Sequence, residues 1–273
     1  MKNKIIKVSS LVIIFLLLIS VFTGCGEEKK AAIAAYDKEV QRINTEISSL
    51  QNEIKISEEL ISSGKKPYEE EKLTTLEKVI TDASSSIKEI PEQPIKADEI
   101  NALVNDTLKN VSYVETTQKV TEARTALEKS IKIMEQVTNP SEDFIVNCLK
   151  DIKGITGCDA VTEDHDPNGN LNKAGGYTST VYFAYNKVDK SNLVENNIID
   201  NGTDGGGSIE VYANEEDANK RNDSLAAFDG SILASGSHKV VGTILVRTSN
   251  YLTASQQKEL EAAIVENLTT LAE

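Results

Sequence analysis

At 273 residues, with a net charge of −14, the chain is long enough for two modest domains rather than one large core. The acidic balance repels phosphate backbones, which argues against nucleic acid as a partner. Tryptophan is absent, aromatics make up 5% and there are two histidines, so stacked-ring ligand platforms and imidazole chemistry are thinly supplied.

The chain opens with Lys2, Lys4 and Lys7, followed by Leu11–Val21, an apolar run of eleven residues. That run is too short to span a bilayer as a permanent helix and matches the apolar region of a signal peptide. Phe22, Thr23, Gly24 and Cys25 follow. These residues resemble the end of a bacterial lipoprotein signal, in which a small residue precedes a cysteine that receives a diacylglyceryl group before cleavage on its amino side. Phe22 stands where that family favours leucine. The resemblance implies a signal peptide over residues 1–24, a covalent diacylglyceryl lipid on Cys25, and attachment to the extracytoplasmic face of a cell membrane, of Gram-positive type. Removing residues 1–24 with their three lysines leaves 249 residues and a charge of −17. Beyond Cys25 only Cys148 and Cys158 remain, and two readings stand open for them: a disulfide in an exported chain, or two buried free thiols.

From Lys29 to Ser62 the apolar positions are Ile33, Tyr36, Val40, Ile43, Ile47, Leu50, Ile54 and Ile61, with Ser57 interrupting the seam. Steps of three and four predict a heptad helix roughly 50 Å long. Gly64 supplies a stop, and Pro67 with Glu69, Glu70 and Glu71 a start, so a second helix runs back antiparallel with Leu73, Leu76, Ile80, Ala83 and Ile87 on its seam. Pro91 and Pro94 end it. A third helix is predicted from Asp98 through Ile100, Val104, Leu108, Val120, Leu127, Ile131 and Met134 to Thr138. A polar stretch, Thr116–Gln118, marks either a bend or the place where this helix outruns its partner. The stripes are packing surfaces of an antiparallel bundle over residues 25–138, and a leftover seam leaves homo-oligomerisation open.

Past Pro140 glycine becomes frequent and apolar alternation replaces heptads, which places a domain boundary between 138 and 141. Ser141 caps a short helix carrying Phe144, Ile145, Cys148, Leu149 and Ile152. Strands are predicted at 158–163, 177–185 and 208–213, then a helix capped by Asn214, then a hairpin of 232–235 and 239–248 turning at Gly236, Ser237 and His238. Thr253 with Gln256 forms a capping box for a last helix bearing Leu260, Ile264, Leu268 and Leu271. The fold class expected for the whole chain is α+β. A helical bundle or coiled-coil hairpin comes first, then a small head over 141–273 with helices on one face of a mainly antiparallel sheet.

The most specific local pattern runs from Asp164 to Asn172. It resembles the opening of an EF-hand calcium loop: Asp164, Asp166 and Asn168 would be side-chain ligands, with the Asn170 carbonyl a fourth. The twelfth position is Gly175 rather than glutamate, so a missing ligand would come from Asp204 or Glu163. The competing reading is a polar turn. Gly202–Gly207, GTDGGG, lacks the Lys and Ser or Thr of a phosphate loop and reads as a connection or bulge. His238 beside Ser235 and Ser237 is not a triad. Cys148, Cys158, His165 and His238 lack zinc-site spacing. From Asp164 to Thr248 the chain also resembles a C-terminal module of Gram-positive surface proteins, some labelled matrix-binding-like, which implies a binding head. The expectation is a non-enzymatic envelope lipoprotein displaying on a helical spacer a module for a protein, glycan or small ligand, with calcium as organiser. Alternatives are a wall-modifying hydrolase using Asp164, Asp166 and Asp204, or a structural oligomer formed through the helical seams.

Overall fold

The computed structural model describes residues 26–193, 197–231 and 234–271. The signal segment, Cys25, Ile232 and Leu233 lie outside the described residues. The chain is mixed helix and sheet, as expected: an N-terminal helical region followed by a five-stranded antiparallel sheet. Among the described residues no helix is long and apolar enough to cross a membrane.

The helical region holds α1 (Glu27–Ser62), α2 (Glu70–Ser86), α3 (Ala97–Asp106) and α4 (Val114–Gln136). The predicted seams are buried at Ile43, Leu50, Ile54, Leu76, Ile80, Ala83, Ile100, Val104, Val120, Leu127 and Ile131. Ser57 stays in the seam rather than breaking it. It is fully buried, and its hydroxyl donates to the Glu53 carbonyl one turn back at 2.8 Å, so its polar atom is satisfied within the helix. At the start of α2, the Oγ of buried Ser130 on α4 accepts from the Glu69 amide at 2.8 Å, and the Ser130 carbonyl accepts from the Tyr68 amide at 3.0 Å. These bonds fasten the entry of α2 to α4.

The third predicted helix is two helices. Between α3 and α4 the chain leaves helical geometry at Thr107, makes a 3₁₀ turn over Leu108–Asn110 and runs extended at Val111. The break comes about ten residues before the polar Thr116–Gln118 stretch, and side chains of α1 hold it open. Arg42 Nη2 donates to the carbonyls of Leu108 and Val111, both at 2.9 Å. Glu46 accepts from the Tyr113 amide at 2.8 Å and the Ser112 hydroxyl at 3.0 Å. Burial acts to raise the Glu46 carboxyl, and the Tyr113 amide, Arg42 and Ser112 overcome it and hold the group below the ordinary carboxylate range. A helix interrupted there would leave carbonyls and amides bare, and one Arg–Glu pair satisfies them.

Two compact units result. Among the described residues, one comprises 26–48 and 88–113. The other comprises 49–87 and everything from 114 onward, so it takes in the second part of α1, α2, α4 and the sheet. The boundary expected between 138 and 141 therefore does not coincide with the division into compact units. The end of α4 and the sheet share one core: Val137, just past α4, is buried in the same cluster as Ile145, Phe183, Ile244 and Ile264.

In the head, α5 (Glu142–Lys150) is capped by Ser141, whose hydroxyl accepts from the Phe144 amide. The strands are β1 (Ile155–Ala160), β2 (Tyr177–Tyr185), β3 (Gly206–Tyr212), β4 (His238–Val241) and β5 (Ile244–Thr248). Helices α6 (Ile198–Asn201), α7 (Glu215–Ala226) and α8 (Ala254–Thr269) complete it, with Thr253 and Gln256 forming the predicted capping box. Strand order is β1-β2-β3-β5-β4, every pair antiparallel. Helices cover both faces rather than one. Ile244 and Val246 join a core with Leu149 of α5 and Leu260 of α8, while Leu245 between them packs with Ala218 and Leu225 of α7. Strands apolar at consecutive positions are what a sheet covered on both sides requires.

The expected strand 239–248 is also divided. Gly242 and Thr243 form the tight turn between β4 and β5, and Ala234 and Ser235 belong to no strand. Gly242 has φ +59°, and a Cβ there would stand 2.5 Å from the Val137 carbonyl oxygen. That carbonyl accepts from the Thr243 amide at 3.0 Å, and Thr243 Oγ1 accepts from the Asn139 amide at 2.6 Å, so the hairpin tip docks against the end of α4. Gly242→Ala is expected to destabilise the protein by about 1–3 kcal/mol, from left-handed strain and the clash together, read as a lowered midpoint in urea unfolding.

Candidate functional site

Register brings to the α7 side of the sheet a row that sequence spacing did not reveal. Asp159, Tyr182, Ser208, Arg247 and His238 stand opposite one another across all five strands. Glu210, two residues beyond Ser208, shares their face and lies diagonally from Arg247. It is 1% exposed and Arg247 7%. Arg247 Nη1 donates to Glu210 Oε1 at 2.7 Å, and the Tyr212 hydroxyl donates to Oε2 at 2.7 Å. Arg221 of α7 approaches the same Oε2 at 3.4 Å. At the edge, His238 Nδ1 lies 2.8 Å from Asn222 Oδ1 and Nε2 lies 3.3 Å from Asp229 Oδ1. Burial and the neighbouring Glu210 carboxylate push Tyr212 well above the ordinary phenol range, and the same two causes push Tyr182 up to about 12. Both phenols are therefore neutral at any physiological pH.

The row continues into the loop expected to hold calcium. Tyr182 accepts at its hydroxyl from Asn168 Nδ2 at 2.8 Å. Asp166 organises the rest. Its Oδ1 accepts from the Asn168 amide at 3.1 Å and from the Tyr177 hydroxyl; its Oδ2 accepts from the amides of Asn170 at 2.7 Å and Leu171 at 2.8 Å. A carboxylate offers about four lone-pair sites, and four donors fill them. Burial acts to raise the Asp166 carboxyl, but the Tyr177 hydroxyl and these amides outweigh it and hold the group below the usual range.

The remaining expected ligands do not gather around it. Asp164 is exposed, and the Asn170 carbonyl accepts from the Lys173 amide at 3.2 Å. Glu163 takes the Asn172 side chain at 3.2 Å. Asp204 lies in the Gly202–Gly205 turn, where its carbonyl accepts from the Ser249 hydroxyl at 2.8 Å. Among the described residues no group of three or more His, Cys, Asp or Glu is placed to hold a metal ion. An EF-hand loop aims oxygens at a central point, whereas this loop aims amide hydrogens at one carboxylate. These donors close a polar turn on Asp166.

Other residues singled out by sequence are occupied in the same structural way. Cys148 and Cys158 are free thiols, half-buried against the α5 and α8 core, and burial followed by nearby Asp151 pushes Cys148 up to about 11. His165 pairs with Asp200 at 2.7 Å. In the glycine run, a Cβ on Gly207 would stand 2.3 Å from the Arg247 carbonyl oxygen and 2.3 Å from the Phe183 ring. The run is a turn over Gly202–Gly205 followed by the first two residues of the middle strand, and Gly207 is bare where the Phe183 ring packs across it. A shallow groove of about 330 Å³ lies at the turn between α1 and α2, floored by Leu60, Leu73, Leu127 and Ile131 and edged by Lys65 and Lys66. Both lysines are paired, with Glu135 and Glu215.

Two outcomes follow from these geometries. Arg247→Met leaves Glu210 buried with no guanidinium diagonally opposite it and is expected to cost about 3–5 kcal/mol, whereas Glu210→Met with Arg247→Met recovers most of the loss; chemical unfolding of the two singles and the double measures the coupling. For Asp166, a depressed folded-state value means its contribution is complete above the unfolded value near pH 4 and is lost as pH falls below it through the folded value. Thermal melts of the wild-type protein should drop more steeply below about pH 4 than those of Asp166→Asn, and millimolar calcium should leave the wild-type midpoint where a chelator leaves it. No protein-family model, curated protein or solved structure matches the chain.

Proposed function

We propose that the chain is a lipid-anchored protein of the cell envelope whose head is a non-enzymatic binding module for a protein, glycan or small ligand. The observation that carries the reading is the junction at Cys25. The signal-like segment ends there, and α1 begins two residues later at Glu27 and continues for 36 residues, about 54 Å of helix. A lipid on Cys25 would be joined to a rigid element with almost no tether between them.

The chemistry of the head supports binding over turnover. Asp166 holds the acidic loop together with its lone pairs and has none to offer a water or sugar hydroxyl. Glu210 is likewise engaged at both oxygens. The resemblance of Asp164–Thr248 to a matrix-binding-like surface module points the same way.

The test is in cells. Wild-type protein is expected in the membrane fraction, with an acyl-bearing Cys25 as its first residue by mass spectrometry. Cys25→Ser is expected to abolish both the acyl mass and most of the membrane association. A wild-type chain whose mass shows no acyl group on Cys25 overturns the anchor. Turnover of wall fragments by the purified protein, lost in Asp166→Ala with the fold intact, overturns the non-enzymatic head.

A further inference from the structure

We propose that the groove at the turn between α1 and α2 binds a single-chain amphiphile with a zwitterionic head of the phosphocholine kind. Its alkyl chain lies on the apolar floor and its head among Lys65, Lys66, Glu70 and Glu135. The site falls wholly within the compact unit that holds 49–87 and everything from 114 onward. It does not depend on an anchor at Cys25.

A heptad seam wants a partner along its whole length. Near this turn the seams of α1 and α2 lack one. Ile54, Leu76 and Ile80 are buried, but Ile61, the last apolar seam residue of α1, and Leu73, the first of α2, are only half-buried. The connection between the helices leaves the space. Its start stays with α1, where the Ser63 and Gly64 amides donate to the carbonyls of Glu59 and Ile61 at 3.1 and 3.2 Å. Its end is held on α4 by the bonds of Tyr68 and Glu69 to Ser130. Leu127 and Ile131, on either side of Ser130, line the groove of about 330 Å³ together with Leu60, Ile61 and Leu73. A second hollow of about 340 Å³ shares Lys65, Lys66 and Ile131 with it and continues to Met134, whose unbranched side chain adapts to what lies against it. Ligand sites run from about 300 to 1,000 Å³. A groove at the small end of that range, walled by aliphatic side chains, suits one slender alkyl chain.

The rim selects the head. Lys65 and Lys66 line both hollows, Glu70 the first and Glu135 the second. Lys65 Nζ lies 2.8 Å from Glu135 and Lys66 Nζ 2.5 Å from Glu215, and all four side chains are more than a third exposed. Ion pairs so exposed are weak, so these side chains are free to exchange partners. A carboxylate amphiphile is repelled by Glu70, Glu135 and the net charge of −14, and a purely cationic one stands against two ammonium groups. A head carrying both signs satisfies both. Its phosphate accepts from the lysines while its ammonium lies beside the carboxylates.

The probe is dodecylphosphocholine, titrated calorimetrically into the full chain below its micelle concentration. One saturable site per chain is expected, with the negative heat-capacity change of apolar burial. Decylphosphocholine, shorter by two methylenes, is expected to bind about three- to tenfold more weakly. Leu73→Asp is expected to weaken binding at least about tenfold, and Lys65→Glu with Lys66→Glu at least about threefold. Thr74→Trp, at an exposed position of the groove's lining, fills it from the rim and decides the matter should Leu73→Asp fail to fold. Dodecanoate and dodecyltrimethylammonium are each expected to bind the wild-type chain several-fold more weakly than the zwitterion. Absence of a saturable site, an affinity unmoved by Leu73→Asp or by Thr74→Trp, or equal affinity for the three head groups overturns the proposal.

Discussion

Glu210 lies shut off from water under α7, and Arg247 diagonally opposite makes that burial tolerable, because an ionised carboxylate without water costs several kcal/mol unless it is paired and hydrogen-bonded. That requirement reaches across the sheet. Side chains alternate with a period of two, so a slip of one residue between β3 and β5 would turn Arg247 toward Ile264 and Leu260 and leave Glu210 facing no cation on that strand. The apolar cores on the two faces would tolerate many exchanges of Ile, Val and Leu. The ion pair tolerates one register. Tyr212, held neutral by burial beside the carboxylate, supplies the second hydrogen bond that makes the pairing adequate.

Much of this was legible in the sequence, and the parts that were not have definite causes. The heptad seams of α1, α2 and α4 and the cap residues Ser141, Asn214 and Thr253 are local signals, and each appears where its local physics places it. The break between α3 and α4 is different. Nothing between residues 107 and 113 forbids a helix; Arg42 and Glu46, some 66 residues earlier, satisfy the backbone groups that the interruption frees. In the same way, Gly242 looks like one glycine inside an alternating strand, and only the approach of Val137 reveals a turn. Coverage of both faces was written in Ile244–Leu245–Val246, yet which helix covers which face depends on the topology of the sheet. The row through Tyr182, Ser208 and Arg247 depends on strand register, which residues far apart in the chain set together.

The acidic loop shows how one residue pattern serves opposite ends. Asp, Asn and Gly at alternating positions suit calcium because they carry oxygens and bend sharply. They suit a turn because a short carboxylate can accept from amides a few residues ahead. What separates the two is the direction of the neighbours, and at Asp166 three amides and a phenol point inward. Composition alone carries no information about that direction.

α1 belongs to both compact units, and each part of it waits for a different stretch of chain. Its first part is secured by Leu108 and Val111, and its second by Arg124, whose Nε donates to Glu53 at 2.7 Å across a separation of 71 residues. The earliest of these segments to be synthesised is thus among the last to find its partners, and until they arrive a long apolar seam stands uncovered. Closing loops of that length is a modest entropic cost but a slow search. Assembly of the helical region therefore waits on its last-made segments and does not proceed outward from its first helix.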